Sequence, residues 1–511
     1  MSLRKRIIIN AASNWASMTV AAVVGLVLVR FMLRGLEATG YGVWALLATG
    51  LRYPMILERA FVLAINRFVA FYRSDIKELN RFVSASFIIL MALAVLTVVA
   101  AVLLSFVISD IFSAITAEFA RDARIACILV GITLAFKMLE ASFSGTLQGC
   151  QYYASYNAVV ITANLLRAVL TIGLLMVWKS IIAVQLAFGI TAAISALSMF
   201  FVARRSVAGL SVNVRLINRK TLQELWRYTS HSIGRSGSSI FMYSTLALLV
   251  GRVGTAANVT AYDIASRIPG FVRGFLAATQ VVFLPAVSDL WAKGRVEAIK
   301  AVVKKGTRIS SVLSCALLLL LFVFTEKILV LWLKGAVPES TVWVMRVLII
   351  SVLPGGLFEI WLPALVGMGH LRGLTIASIA AALIAVLLEL ILLRGFVAVP
   401  MAPAIVLVVV LWVKTGLWLP FYGLQKLGIR PYEYLKNSLY QPLAASLVSI
   451  IALWVLNSVL LRGNVHWMVM FTLSTVVVMA SFTVISLQKE TADLILAVRK
   501  NFDGKKEYRR R

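Results

Sequence analysis

Sixteen charged side chains interrupt stretches of this sequence that are otherwise apolar. Eleven are cations: Arg30, Arg52, Arg59, Arg67, Lys137, Arg167, Arg235, Arg267, Arg273, Arg346 and Lys414. Five are acids: Glu58, Glu140, Asp263, Glu359 and Glu389. A charge at the centre of an apolar helix in a bilayer costs about 2.5–3.5 kcal/mol on the insertion scale, so sixteen of them require a use. Five acids cannot neutralise eleven cations, and the surplus of six is expected to face water or an anion. Arginine suits a phosphate because its planar fork donates two parallel hydrogen bonds to two oxygens. Arg52 and Arg59 are seven residues apart, nearly eclipsed at about 100° per residue, with Arg67 about 60° away. The spacing predicts that they point into one cavity, unless Arg67 snorkels to the interface and Arg59 pairs with Glu58. Arg52, Arg59, Arg167, Arg235, Arg267 and Arg273 are the candidate anion-binding set.

The acids suggest ion coupling. Glu58, Glu140, Asp263 and Glu359 are the candidates for binding H+ or Na+. Lys137 lies one turn from Glu140, so a structural Lys–Glu pair is equally compatible with the spacing. Asp263 and Arg267 are four apart and can also pair, as can His231 and Arg235 along another helix. Asn157, Asn164 and Arg167 form a polar stripe, as do Asn10, Asn14 and Ser17; such residues often bind helices together. The three cysteines, Cys127, Cys150 and Cys315, show no metal-ligand spacing, and His231, His370 and His466 do not cluster. No metal, no other cofactor and no disulfide framework is expected.

The elements that carry these residues are membrane helices. Of 511 residues, 61% are hydrophobic and 14% charged, far from the balance of a soluble domain. A hydrocarbon core about 30 Å thick needs about 20 apolar residues. That ruler gives fourteen spans, near 10–33, 41–68, 82–108, 123–148, 153–178, 180–203, 226–250, 258–284, 307–332, 340–367, 371–395, 398–424, 437–461 and 464–487. The basic start runs into the first span without a small-residue cleavage site, so a retained helix is expected rather than a signal peptide. With the N-terminus inside, the cytoplasmic pieces hold 30 Lys and Arg and the external ones 9, so both termini are expected in the cytoplasm. Most of the formal charge of +29 is therefore an orientation signal, and +6 of it belongs to the spans. Nucleic-acid binding is excluded on the same ground, because the basic loops lie beside the membrane and meet anionic lipids.

An offset of about 218 residues brings the halves into register. Tyr41-Gly-Val-Trp44 falls on Val259-Thr-Ala-Tyr262, and at 219 Glu140 falls on Glu359. Six helices per offset is an even number, so the repeat is parallel, about an axis along the membrane normal. The expected organisation is all-α: a six-helix lobe over 1–210, a second over 211–430, helices 13 and 14 over 431–490, and a basic tail over 491–511. Helices 13 and 14 carry no charge within their spans and can face lipid.

Most of the chain resembles the polysaccharide-type, Wzx-like flippases of the multidrug/oligosaccharidyl-lipid/polysaccharide exporter superfamily. The topology carries the resemblance, together with Arg34-Gly-Leu-Glu-Ala-Thr-Gly-Tyr-Gly42, Ala64-Ile-Asn-Arg-Phe-Val-Ala70 and Gly145-Thr-Leu-Gln-Gly-Cys-Gln-Tyr152. Helix 2 departs from the family by reading Glu58-Arg59-Ala60, a cation where a small residue is usual. The resemblance implies a transporter of the bacterial inner membrane, not an enzyme. It implies that an undecaprenyl-pyrophosphate-linked oligosaccharide moves to the periplasmic leaflet by alternating access, for O-antigen, capsule or exopolysaccharide synthesis. Membrane lipids, a polysaccharide polymerase and chain-length machinery are the implied partners. The rivals are a lipid II flippase, whose substrate also bears a pyrophosphate, and a cation-coupled multidrug exporter, which a core of net charge +6 disfavours. A membrane glycan polymerase or ligase would need a sizeable external loop, and the longest, near 109–122, is short and lacks histidine.

Overall fold

The structure is a computed structural model that describes residues 3–50, 52–281, 283–334, 340–460 and 467–486. Every regular element among them is helical. In chain order they are α1 (Leu3–Gly50), α2 (Pro54–Phe71), α3 (Ile76–Ile111), α4 (Ala117–Gly149), α5 (Tyr153–Val177), α6 (Ile181–Ser206), α7 (Arg219–Val253), α8 (Ala256–Val281), α9 (Phe283–Ala292) and α10 (Val296–Val323). There follow α11 (Thr325–Leu333), α12 (Ser340–Phe358), α13 (Trp361–Gly367), α14 (Leu371–Leu392), α15 (Ala402–Leu411), α16 (Leu419–Leu427), α17 (Pro431–Tyr434), α18 (Tyr440–Leu460) and α19 (Trp467–Ser486). Wider π turns join α15 to α16 over Trp412–Trp418 and α17 to α18 over Leu435–Leu439. Eleven helices among the described residues are long and apolar enough to cross a bilayer, and two shorter apolar helices accompany them. This is a multi-pass membrane protein, and each of the fourteen expected spans has a helical counterpart.

Some helix joints differ from the sequence expectation. The first span and the start of the second are one helix, α1, interrupted at the single residue Glu37, whose φ of 59° is in the left-handed region that non-glycine residues seldom occupy. The second span instead changes helix deep in its length, where Arg52 N and Tyr53 N bond three residues back to Thr49 and Gly50 and Pro54 has no N–H to continue the ladder. Arg52 lies in that turn and Arg59 on α2, so the two do not share one continuous wheel as their spacing predicted.

The chain groups into two compact units. The first holds Met1–Arg267, Trp332–Val344 and Thr375–Val406; the second holds Ile268–Leu331, Met345–Leu374 and Leu407–Arg511. Their boundary cuts α8 just before Pro269, which weakens the helix there by removing a donor. The first unit has a core between α2, α3, α4 and α6, where Phe61, Ile65, Val83, Leu90, Phe143 and Met199 are buried. In the second unit Trp361 is fully buried and donates through Nε1 to the Tyr434 hydroxyl at 3.0 Å, and Tyr434 also bonds Thr307 at 2.9 Å.

Within the first unit the repeat is visible as a reciprocal contact. Gly42 abuts the Ala256 carbonyl, and the Thr260 hydroxyl donates to the Ala38 carbonyl at 2.5 Å. Under the offset of 218, Ala256 is the counterpart of Ala38 and Thr260 of Gly42. A pair i to j together with its mirror j to i is what equivalent segments meeting on a two-fold axis produce.

Candidate functional site

Two arginines, about a hundred residues apart in sequence, converge in the first unit. Arg167 of α5 and Arg267 of α8 line a cavity of about 220 Å³ whose walls include Trp44, Asn164 and Phe188. Asn164, one turn before Arg167, accepts from its Nη2 and fixes the guanidinium. The Arg167 guanidinium carbon also sits 5.1 Å from the centre of the Phe188 ring, which itself stands edge-on to Trp44 at 5.7 Å. A cation over an aromatic face is held without being neutralised. The rest of the lining is aliphatic, from Ala21 to Met32 of α1.

Arg267 is held from the other side. Its Nε and Nη2 donate to Oδ2 of Asp263 at 3.0 and 2.8 Å, and Nη2 also donates to the Tyr41 hydroxyl at 3.1 Å. Tyr41 donates in turn to the same Asp263 oxygen at 2.6 Å. Tyr41 is fully buried and Asp263 is buried. The pairing of Asp263 with Arg267 follows from their i,i+4 spacing. Tyr41, 222 residues away on α1, is marked in the sequence by the repeat and by the segment ending at Gly42, but nothing there points to its bond with Asp263.

The remaining candidates distribute as follows. Arg52, in the turn before α2, acts electrostatically on Asp263. Arg59 is exposed on α2, next to Glu58. Glu58 feels the charges of Lys137, Arg59 and Glu140, and Arg167 feels that of Glu140, so α2, α4 and α5 bring a second set of charges together in the same unit. Glu140 is buried and accepts from Lys137 Nζ at 2.7 Å. The Arg235 side chain lies outside the described residues, although its backbone is part of α7. Arg273 and Glu359 belong to the second unit, where Glu359 is influenced by Lys414 and Arg273. Glu359 lies in the interruption between α12 and α13, one turn after Pro354-Gly355-Gly356, where the Gly355 carbonyl accepts from Gln280 and the Gly356 carbonyl from Ser310. Lys414 lies in the π turn after α15, a distortion often found at functional positions.

Glu140 therefore has two possible uses that a single variant separates. If it couples transport to a gradient, Glu140→Gln is expected to remove the dependence of transport on Na+ or H+. Unchanged dependence, measured in proteoliposomes with and without each gradient, assigns Glu140 to the pair with Lys137 alone.

Among the described residues no group of three or more metal-ligating side chains is present.

The comparisons agree on the architecture. Residues 237–391 match the MatE family model. No curated protein matches the chain by sequence. Among solved structures, the chain is similar to the lipid II flippase MurJ in an inward closed conformation, at 12% identity and a TM-score of 0.71, over 96% of this chain and 100% of that one. It is similar to an inward-facing multidrug resistance MATE family transporter of the MOP superfamily, at 13% identity and a TM-score of 0.66, over 80% of this chain and 96% of that one. An outward-facing MATE family transporter aligns at 14% identity and a TM-score of 0.59, over 83% and 96%. The fold is that of MATE and MurJ transporters, and these neighbours are transporters and flippases rather than enzymes.

Proposed function

We propose that the protein is a flippase for a lipid-linked oligosaccharide, carrying an undecaprenyl-pyrophosphate-bound repeat unit across the bacterial inner membrane for surface polysaccharide assembly, with both termini in the cytoplasm. One observation carries the reading: Arg167 and Arg267 face one cavity in a membrane-embedded unit, with a lining that apart from Asn164 is aromatic and aliphatic. A pyrophosphate needs donors and positive charge, and guanidinium groups supply both in a geometry that matches phosphate oxygens. An organic cation would be repelled by the same pair. The lipid tail stays in the bilayer, and a polymerase with its chain-length machinery would take the sugar on the far side.

A lipid II flippase is the second reading. It is favoured by a fold alignment that reaches 96% of the chain, against 80% for the first drug exporter. Vesicles reconstituted with the full chain decide between the readings when loaded in turn with a polyisoprenyl-diphosphate oligosaccharide, lipid II and a cationic dye. Transfer of the oligosaccharide in preference to lipid II is expected. Transfer of lipid II alone selects the second reading, and transfer of the dye alone overturns both.

A further inference from the structure

The Arg267 guanidinium belongs to two structures at once. It lines the cavity, and it is the centre of a hydrogen-bonded latch with Asp263 and Tyr41. Its Nη1 makes no hydrogen bond to a described residue, whereas Nε and Nη2 are spent on the latch. A two-pronged grip on a phosphate, through Nη1 and Nη2 or through Nε and Nη2, therefore draws on a donor that Tyr41 or Asp263 now holds.

The latch lies on α1 and α8, and the start of α8 adjoins a junction between the end of α7 and the segment that closes α3. The Ser113 hydroxyl donates to the carbonyls of Arg252 and Gly254 at 2.8 and 3.0 Å, and Ala114 N donates to the Gly251 carbonyl at 3.1 Å. Arg252 donates to the Ile111 carbonyl, and Gly42 meets Ala256 backbone to backbone. These contacts seal one face of the first unit. The contact of Gly42 with Ala256 obeys the repeat, being mirrored by that of Thr260 with Ala38, but the latch does not. Under the offset of 218, Tyr41, Asp263 and Arg267 correspond to Val259, Ala45 and Thr49, none of which carries a charge. The charged tie is therefore an addition on one side of a nearly symmetric contact.

We infer that an anion in the cavity and Asp263 compete for Arg267, so that binding of the anionic head group releases the Tyr41–Asp263–Arg267 latch and loosens the seal between α1 and α8. Tyr41 and Asp263 are then positioning residues that report cavity occupancy to the seal. The inference rests on the anionic-substrate reading above, and linkage makes it reciprocal: loosening the latch must tighten anion binding.

The test uses the full chain in nanodiscs of zwitterionic lipid, with farnesyl diphosphate as the anionic probe. Spin labels at Thr39→Cys and Ala257→Cys, both exposed positions flanking the seal, report its width by electron–electron resonance; the three native cysteines are buried. Asp263→Asn is expected to bind the probe roughly five- to hundredfold tighter than the unmodified chain, and to populate a longer distance without it. Tyr41→Phe leaves every charge in place and is expected to lengthen the distance, as is the probe added to the unmodified chain. Tighter binding with unchanged distances would reduce Asp263 to a background charge and overturn the latch. Weaker or equal binding in Asp263→Asn would overturn the competition. If the probe does not bind the unmodified chain at all, the anionic-substrate reading fails and the competition with it, whereas a probe that binds but leaves the distance unchanged refutes the inference alone.

Discussion

A variant with both Arg167 and Arg267 replaced by alanine is expected to lose transport of the diphosphate-linked substrate to the level of protein-free vesicles. Hydrogen bonds to charged groups contribute about 1.5–3 kcal/mol each, and about 1.4 kcal/mol is tenfold in affinity. Each arginine is therefore worth roughly ten- to hundredfold in binding, and the pair more. The two singles differ in an informative way. Arg167→Ala frees Asn164 and exposes the Phe188 face but leaves no charge uncompensated in its own pair. Arg267→Ala strands the buried Asp263 beside Tyr41, and breaking a buried pair from one side costs about 3–5 kcal/mol. It is expected to lower thermal stability as well as transport. Arg267→Ala with Asp263→Asn separates the two effects: stability returns, transport does not. Arginine-to-lysine replacements keep the charge but lose the two-pronged geometry, and intermediate rates are expected from them. Transport at the normal rate in the double alanine variant, with the protein inserted and folded, would remove the cationic cavity from the mechanism.

The sequence made local chemistry legible wherever both partners lie on one helix. The i,i+4 spacing of Asp263 and Arg267 and the one-turn spacing of Lys137 and Glu140 are both realised as ion pairs. The helical architecture was equally legible, because apolar length is a direct measure of a bilayer. Two kinds of information were not. The wheel that placed Arg52 above Arg59 assumed an unbroken helix, and Pro54 interrupts it. A proline within an apolar run signals such a break, so that error lay in weighting hydropathy above the missing donor. The second kind is long-range. That Arg167 shares a cavity with Arg267, or that Tyr41 bonds Asp263, depends on how α1, α5 and α8 cross, and no spacing within one helix encodes it. The repeat came nearest, since it aligned Tyr41-Gly-Val-Trp44 with the segment around Val259 to Tyr262. Equivalent segments on a two-fold axis are natural neighbours, so the alignment pointed at the junction without disclosing its hydrogen bonds.

That junction supports the other large expected effect. A methyl group built on Gly42 would lie 2.0 Å from the Ala256 carbonyl oxygen and 2.7 Å from the Thr260 hydroxyl oxygen, where 3.4 Å is ordinary contact. The obstacle is backbone on a neighbouring helix, which cannot rotate away as the end of a side chain can. Gly42→Ala must therefore push α1 from α8 or leave one of them distorted. Overpacking of this kind typically costs about 1–3 kcal/mol, occasionally more. The Thr260 to Ala38 hydrogen bond lies on the same contact, so its geometry is disturbed at the same time. A lowered unfolding temperature and a longer distance between labels at positions 39 and 257 are expected. Gly50→Ala is the control: outside its own helical turn no atom of the described residues lies within 4 Å of its added methyl group, and alanine is the better helix former. It is expected to leave both readouts unchanged or to raise stability slightly. Gly42→Ala with the stability and label distance of the unmodified chain would mean that the seal is not held by direct backbone contact. Transport is the third readout. A seal that cannot close lets the cavity open at the wrong face, so Gly42→Ala is expected to bind farnesyl diphosphate at least as tightly as the unmodified chain while moving substrate more slowly, a combination that simple unfolding cannot produce.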